Sequence, residues 1–280
     1  MRIVTWNLRG GQTTASDSDP LDYFADQLRV LNPDVICLQE VHSEGANSDA
    51  ATIGEKLGNY TCFHIAMNPS TIAEGKELGL AILTRDAHEW PTLREFPPLP
   101  VQPTTASGAP MPQERIGVQQ INYANVVVGN VQLPRLVDLR QSYQDADNVG
   151  WVRTISETLA SLPSPLILCG DFGIDAGPGE TFATMFQDRH LQSALPAEAA
   201  TYSRETLHSA DLNAPDAIYY FTDALQIKDS GIVQTMTDHY LCWADVEPAE
   251  PPETIEPAQV QPEVTGPAEQ SEPETTEQPE

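Results

Sequence analysis

Leu166-Ile167-Leu168-Cys169-Gly170-Asp171 is a run of apolar residues that stops on a glycine and a carboxylate. Four apolar side chains in succession, bounded by turn residues, read as a buried strand. The acid that follows then lies at the rim of an apolar sheet. The same shape recurs along the chain. Val4-Thr5-Trp6 runs into Asn7, and Val35-Ile36-Cys37-Leu38-Gln39 runs into Glu40. Asp216 precedes Ile218-Tyr219-Tyr220-Phe221, and Asp238-His239 precedes Tyr240-Leu241-Cys242-Trp243. Carboxylates at such a rim are costly unless a cation or a partner satisfies them. Several of them converging would make an oxygen-rich site suited to Mg²⁺, or to Mn²⁺. Singly, each is ordinary: Gln39-Glu40 and Gly170-Asp171 are the kind of pair that more often makes a turn, and Asp238-His239 reads as a surface pair.

Around these runs the chain alternates short strands with a few helices. Residues 2–7 form a strand. Asp19-Pro20 opens a helix, a capping acid followed by proline at the first helical position, with Leu21, Phe24, Leu28 and Leu31 on one face and Asn32-Pro33 as its stop. A strand covers 34–39, and a second helix covers 48–57 and ends at Gly58. Strands follow at 60–66 and 78–83. A Pro-rich loop, Pro97 to Pro112, precedes a hairpin at 115–121 and 124–131. A helix over 148–161 places Val149, Val152, Ile155 and Leu159 on one side. Strands at 166–170, 216–221 and 239–246 complete the set. Many strands of 5–7 residues with helices between them suggest sheet packed on sheet with helices outside. Periodicity alone does not separate this from a parallel doubly wound sheet.

Composition limits the function. The chain has 280 residues and a net charge of -27. The stretch from Glu247 to Glu280 holds ten Glu and eight Pro with no Lys, Arg or aromatic residue, and without it the remainder is still at -17. That stretch reads as an extended, solvated, disordered tail, since it has too little apolar surface to offset chain entropy. The expected organisation is therefore a folded domain over 1–246 and a tail over 247–280. A field of this sign repels polyanions, and no Lys/Arg stripe is present to track a backbone. General duplex-DNA binding is not expected. No apolar run approaches the 18 or so residues of a membrane span, and Met1 leads straight into a strand without a signal-like segment. Four cysteines (Cys37, Cys62, Cys169, Cys242) form no CxxC pair and read as small buried thiols in a reducing, cytoplasmic setting.

The ordered series Thr5-Trp6-Asn7, Leu38-Gln39-Glu40, Gly79-Leu80-Ala81-Ile82-Leu83-Thr84-Arg85, Gly170-Asp171-Phe172, Asp216-Ala217-Ile218-Tyr219-Tyr220-Phe221 and Thr237-Asp238-His239 resembles the endonuclease/exonuclease/phosphatase superfamily, the deoxyribonuclease I-like fold. The resemblance spans residue 1 to about 246. It implies an α+β, four-layer αββα sandwich, two packed mixed β-sheets flanked by helices, and phosphoester hydrolysis at a Mg²⁺ site. It also implies roles. Glu40 would be the main metal ligand, with Asn7 helping to hold metal or phosphate and Asp238 close by. Asp171 would orient or deprotonate the attacking water. Asp216 would fix the tautomer of His239, and His239 would face the phosphoryl oxygens.

Two positions depart from the family pattern. Gly173 stands where the family has Asn after Gly-Asp-Phe, and Gln132 stands where many members have His. Glutamine donates and accepts hydrogen bonds but carries no proton. A lost donor of this kind costs about 10²–10³ in rate, so on the enzyme reading a Gly173→Asn change is expected to gain activity or leave it unchanged. Arg9, Arg85, Arg115, Arg135 and Arg140 are candidates for phosphate contact, with Arg115, Arg135 and Gln132 as the substrate-binding set. His42, His64, His88, His190 and His208 show no ligand spacing. Two functions are open: a Mg²⁺-dependent phosphodiesterase or phosphomonoesterase, acting on a small or single-stranded substrate such as a nucleotide, or a catalytically silent binding module of the same fold.

Overall fold

A computed structural model describes residues 1–14, 19–86, 89–104, 109–110, 112–136, 139, 142, 145–174, 181–196, 199–203 and 214–249. Among these residues the strands are β1 (Arg2–Asn7), β2 (Val35–Glu44), β3 (Asn47–Ser48), β4 (Thr61–Pro69), β5 (Glu77–Thr84), β6 (Thr92–Glu95), β7 (Gly117–Tyr123), β8 (Val126–Gln132), β9 (Leu166–Asp171), β10 (Leu191–Ser193), β11 (Asp216–Phe221), β12 (Leu225–Val233) and β13 (Leu241–Pro248). The helices are α1 (Pro20–Leu31), α2 (Asp49–Leu57), α3 (Ala146–Ala160) and α4 (Thr181–Gln187). The strands form two sheets, ordered β12-β13-β1-β2-β5-β4 with β3 beside β2, and β10-β11-β9-β8-β7-β6. Both sheets are mixed: β1–β2 and β8–β9 are parallel, and β1–β13 and β9–β11 are antiparallel.

Three apolar clusters define four layers. Ile3, Val35, Cys37 and Ile82 of the first sheet meet Ile121, Val128, Ile167, Cys169 and Ile218 of the second. The alternate residues of the same strands point the other way. Val4, Trp6, Ile36, Leu38 and Leu83 pack on Phe24 and Leu28 of α1 and Ile53 of α2. On the far side, Val118, Val131, Leu166, Leu168 and Tyr219 pack on α3 and α4 through Trp151, Ile155, Leu159, Phe182 and Phe186. The period of two along each strand supplies both faces. The result is helix, sheet, sheet, helix.

Local chemistry sets the boundaries. The Asp19 side chain accepts from the Leu21 N–H at 3.0 Å, and Pro20 follows as the first residue of α1. Asn32, in the left-handed region at φ 49°, ends that helix. Ser48 caps α2 through the Ala51 N–H, and Gly58 closes it.

Several expected boundaries are corrected. β2 does not stop at Gln39 but bulges and continues to Glu44. β4 and β5 are longer than 60–66 and 78–83. β13 starts later than 239 and runs to Pro248, past the expected domain end at 246. On α3 the buried residues are Asn148, Trp151, Val152, Ile155, Ser156 and Leu159, while Val149 is exposed. Trp151 takes the inward direction expected of Val149, because that stripe runs 148, 151, 152, 155, 159. Residues 250–280 of the expected tail, along with Arg140, His88 and His208, lie outside the described residues. No helix among the described residues is long and apolar enough to cross a membrane.

Candidate active site

The strand ends that carry polar residues meet at one edge of the two sheets. In register, Asn7 of β1 faces Gln39 of β2, Gln132 of β8 faces Asp171 of β9, and Asp171 faces Asp216 of β11. Asn7 joins the sheets: its Nδ2 donates to Glu40 Oε1 and to Asp171 Oδ2, both at 2.9 Å. Gln132 Nε2 donates to the same Glu40 oxygen at 3.0 Å.

Glu40 projects from a bulge. Leu38 pairs with Ala81 and Val41 pairs with Gly79, so Gln39 and Glu40 together oppose Leu80. Glu40 takes φ 49°, a left-handed conformation uncommon for a side chain of its size. An in-register strand would send residue 40 to the opposite face from 39; the bulge re-aims it.

Asp171 is set by two glycines. Gly170 has φ 147°, and a Cβ there would run into the Val131 carbonyl of the neighbouring strand. Gly173, at φ 67°, donates its N–H to Asp171 Oδ1 at 2.8 Å. This fixes one carboxylate oxygen and turns Oδ2 toward Asn7 and His239.

His239 lies between two acids. Its Nδ1 is 2.9 Å from Asp216 Oδ2, and its Nε2 is 3.8 Å from Asp171 Oδ2. Asp216 in turn takes its position from Thr201, whose hydroxyl accepts the Asp216 N–H at 3.1 Å. Tyr202 packs edge-on against the imidazole, ring centres 4.9 Å apart. Asp238 is held by Arg9, whose Nη1 donates to Oδ2 at 2.6 Å. Arg9 reaches it from a tight turn with three successive positive φ values, Arg9, Gly10 and Gly11.

The electrostatics follow from burial and these partners. Burial disfavours a charged imidazole, but Asp216, then Asp171 and Asp238, overcome it and raise His239 to about 10. Burial pushes Asp171 up to about 6, with the His239 charge pulling against it and Asp216 adding to it. Burial also raises Glu40, opposed by its Asn7 hydrogen bond and by His239 and reinforced by Asp171 and Asp238. Four carboxylates therefore share the positive charge of His239 and Arg9, and Glu40 is the one whose direct partners, Asn7 and Gln132, are neutral amides.

This arrangement can take a hard divalent cation at Glu40, with Asp171 as a neighbouring oxygen donor; Asn7 turns its amide nitrogen to both acids, while its oxygen accepts the Arg9 N–H at 2.9 Å. Ligand atoms of Asp171, Asp216 and His239 also lie within 4.8 Å of one another. That trio is a poorer cation site, because Asp216 already occupies Nδ1, and a protonated imidazole has no lone pair to give.

A cleft of about 250 Å³ opens beside Glu40, Gln132 and Asp171. Met67, Leu78, Leu80, Ile116 and Leu133 give it apolar walls, and Asn68, Glu114, Arg115 and Arg135 add polar groups. Arg115 is at this cleft with its guanidinium paired to Glu95. Arg135 lies over the Tyr202 ring, 5.0 Å from its centre, and donates to its hydroxyl. Arg85 is corrected: it follows Thr84, which pairs with Val35 at the start of β2, so it sits at the opposite end of the sheet from Glu40 and bonds Tyr60 and Asn32. Glu114, Thr201 and Tyr202 were not among the sequence candidates. They lie in irregular segments with no strand-end pattern to mark them.

The geometry weighs against the expected benefit of Asn at position 173. A Cβ on Gly173 would stand 2.5 Å from the Pro134 carbonyl oxygen and 2.9 Å from that of Leu133. The backbone here has closed over the space a side chain would need.

Comparison with known proteins bears on the family and the fold. Residues 4–244 match the model of the Endonuclease/Exonuclease/phosphatase family. Solved structures similar to the chain include an endonuclease/exonuclease/phosphatase family protein from Leptotrichia buccalis, 17% identical, covering 88% of this chain and 99% of the other at a TM-score of 0.58. An endonuclease/exonuclease/phosphatase from Beutenbergia cavernae is 16% identical, covering 88% and 71%, at 0.63. The 3'-5' exonuclease from Neisseria meningitidis is 17% identical, covering 88% and 99%, at 0.55. At these identities the likeness is one of fold. No curated protein sequence matches the chain.

Proposed function

Because the chain belongs to the endonuclease/exonuclease/phosphatase family, whose members hydrolyse phosphoesters, we propose that it is a Mg²⁺-dependent phosphodiesterase or phosphomonoesterase acting on a small or single-stranded substrate. The observation that carries this reading is the single Asn7 amide shared by Glu40 and Asp171 at 2.9 Å each, with His239 against the same Asp171 oxygen.

Glu40 would hold the cation, with Asn7 and Asp238 near it. Bound there, a divalent ion would polarise the phosphoryl oxygen and offset the charge of an anionic substrate meeting an acidic protein. Asp171 would take a proton from the attacking water through Oδ2, since Gly173 holds Oδ1. The protonated His239 would face the phosphoryl oxygens, oriented by Asp216 on its other nitrogen. Gln132 would donate to a substrate oxygen or to Glu40, but would not relay a proton. Arg115 and Arg135 would meet the part of the substrate lying in the cleft. General acid–base help of this kind is worth about 10²–10⁴-fold.

The substrate reading rests on the net charge of -27 and on a cleft of about 250 Å³, which suits a single sugar- or base-sized group. A nucleotide or a nucleic-acid end fits that description. Four unpaired cysteines, three of them buried, support a reducing, cytoplasmic setting.

A second reading is a silent binding module, favoured by Gly173 and Gln132 in place of the family's Asn and His. Hydrolysis of bis-p-nitrophenyl phosphate with Mg²⁺ or Mn²⁺ separates the two. Metal-dependent turnover that is lost in Glu40→Ala and His239→Ala supports the enzyme. Absence of turnover together with absence of metal binding supports the module.

A further inference from the structure

The bulge that aims Glu40 is gripped from the other sheet. Asn130 of β8 sends its Nδ2 across the interface to the carbonyls of Leu38 and Ala81, at 2.9 and 3.0 Å. These two residues are the last regular pair before the bulge. The other end of the Asn130 amide, Oδ1, accepts from Gln39 Nε2 at 2.7 Å, and the same nitrogen reaches Thr5 Oγ1 at 3.0 Å. Gln39 is pinned once more through its carbonyl, which accepts the Leu8 N–H at 3.0 Å. Thr5, Gln39 and Asn130 are all fully buried.

We infer that Asn130 and Gln39 are positioning residues for Glu40, a cross-sheet amide pair that locks the bulge from which this carboxylate projects. The inference rests on the proposed reading of Glu40 as a metal ligand.

Two observations favour positioning over plain structural support. The pair is buried between two largely apolar sheet faces, where burying amides is costly. It is also imperfect as a stabilising device, since Gln39 Oε1 is buried and accepts no hydrogen bond among the described residues. Its contacts nevertheless close on the place where β2 leaves its ladder with β5. Glu40 itself sits at φ 49°, a conformation that persists only when its surroundings hold it. Without the clamp, Leu38 and Ala81 would lose their shared donor, and the bulge would be free to slide by one residue. The carboxylate would then lose its fixed direction toward Asn7 and Asp171.

Gln119 supplies a matched control. It is a buried amide on β7, opposite Asn130 in register, and its Nε2 also crosses to the first sheet, donating to Phe63 O at 2.8 Å. Its Oε1 is likewise buried and accepts no hydrogen bond among the described residues. The bond to Phe63 goes neither to the bulge nor to a site residue.

The test measures Mn²⁺ affinity by titration calorimetry for the full chain and for Asn130→Leu, Gln39→Met and Gln119→Leu, with thermal midpoints in chelator recorded for each. Loss of outer support for a metal ligand is expected to weaken Mn²⁺ binding about 10–100-fold. Asn130→Leu should show that loss, Gln39→Met a smaller loss in the same direction, and Gln119→Leu none, whatever its thermal midpoint. With a generic phosphodiester, kcat should fall with Mn²⁺ affinity while KM stays near the native value. If Asn130→Leu does not fold, Gln39→Met against Gln119→Leu decides. Equal Mn²⁺ affinity in those two variants overturns the inference while leaving the metal site standing. A native chain that binds no Mn²⁺ overturns the metal-site reading and this inference together.

Discussion

Nε2 of His239 lies 3.8 Å from Oδ2 of Asp171, while Asp216 holds the opposite ring nitrogen at 2.9 Å. One cation therefore stands between two buried acids, and the protons in the site are divided unequally. His239 keeps its proton up to about 10, and Asp171 keeps its own up to about 6.

The base form of Asp171 exists above its pKa, and the cationic form of His239 exists below its own. The pH profile of kcat/KM is accordingly expected to rise through about 6 and to fall toward about 10. A bound cation moves the acid limb lower, not higher. Asp216→Asn removes the main charge that raises His239, so its alkaline limb should move down toward the ordinary imidazole value. Initial rates between pH 5 and 10.5 for the two proteins check this, and an alkaline limb that does not move contradicts it.

The same shift has a consequence for stability. The folded pKa of His239 lies above its ordinary value of 6.5, so its ion pairs contribute fully below 6.5 and are lost as pH rises through about 10. The thermal midpoint of the chelator-treated protein should fall over that window more steeply than that of His239→Gln. Parallel curves would contradict the assignment.

Glu40 is raised by burial, so the fold disfavours its ionised form. Removing that charge while keeping its shape should help the metal-free protein and damage the metal-bound one. Glu40→Gln is expected to raise the chelator midpoint at pH 7. The gain should vanish at pH values where native Glu40 is protonated. Mn²⁺ should no longer stabilise this variant, and its turnover should drop at least about 10²-fold. Differential scanning calorimetry with and without Mn²⁺ reads both effects.

Restoring the family's Asn at position 173 is expected to harm the protein. A Cβ there stands 2.5 Å from Pro134 O, a backbone atom that cannot swing aside. Gly173→Asn and Gly173→Ala should each cost about 1–3 kcal/mol in urea unfolding, with activity reduced in step. A stable Gly173→Asn protein with raised turnover would show that the loop reopens and that glycine is the defect.

Much of this architecture is legible in the residues. The Asp19-Pro20 start, the Gly58 stop and the apolar runs of β1, β2 and β9 each have a local cause, and local causes are visible in sequence. Other elements were not legible for equally local reasons. In β12 the run is interrupted by Lys228, Asp229, Ser230 and Gly231, where a register shift lies between Ile227 and Asp229 and Gly231 packs on Trp243. β6 is a four-residue edge strand with largely exposed side chains, which leaves no pattern of burial. The choice between a sandwich and a doubly wound sheet depends on which strands pair, and the resemblance supplied it where periodicity did not.

The site shows the same division. Asn7, Asp171 and Asp216 end or begin strands, and Glu40, Asp238 and His239 flank apolar runs in the sequence; that shared pattern brings them out together. The contacts that tie them do not follow from position. Gln132 reaching Glu40 and Asn130 gripping the bulge depend on the packing of one sheet against the other, and Arg9 reaching Asp238 depends on the pairing of β1 with β13. The bulge itself breaks the period of two on which strand reading relies, so the course of β2 beyond Gln39 was lost with it.

Anomalous diffraction from a crystal soaked with Mn²⁺ and a phosphate analogue tests the central claim most directly. The account predicts one strong manganese peak about 2.1 Å from a carboxylate oxygen of Glu40, with the phosphate between it and His239. No peak, or a peak enclosed by Asp171, Asp216 and His239 with Glu40 uninvolved, would contradict it.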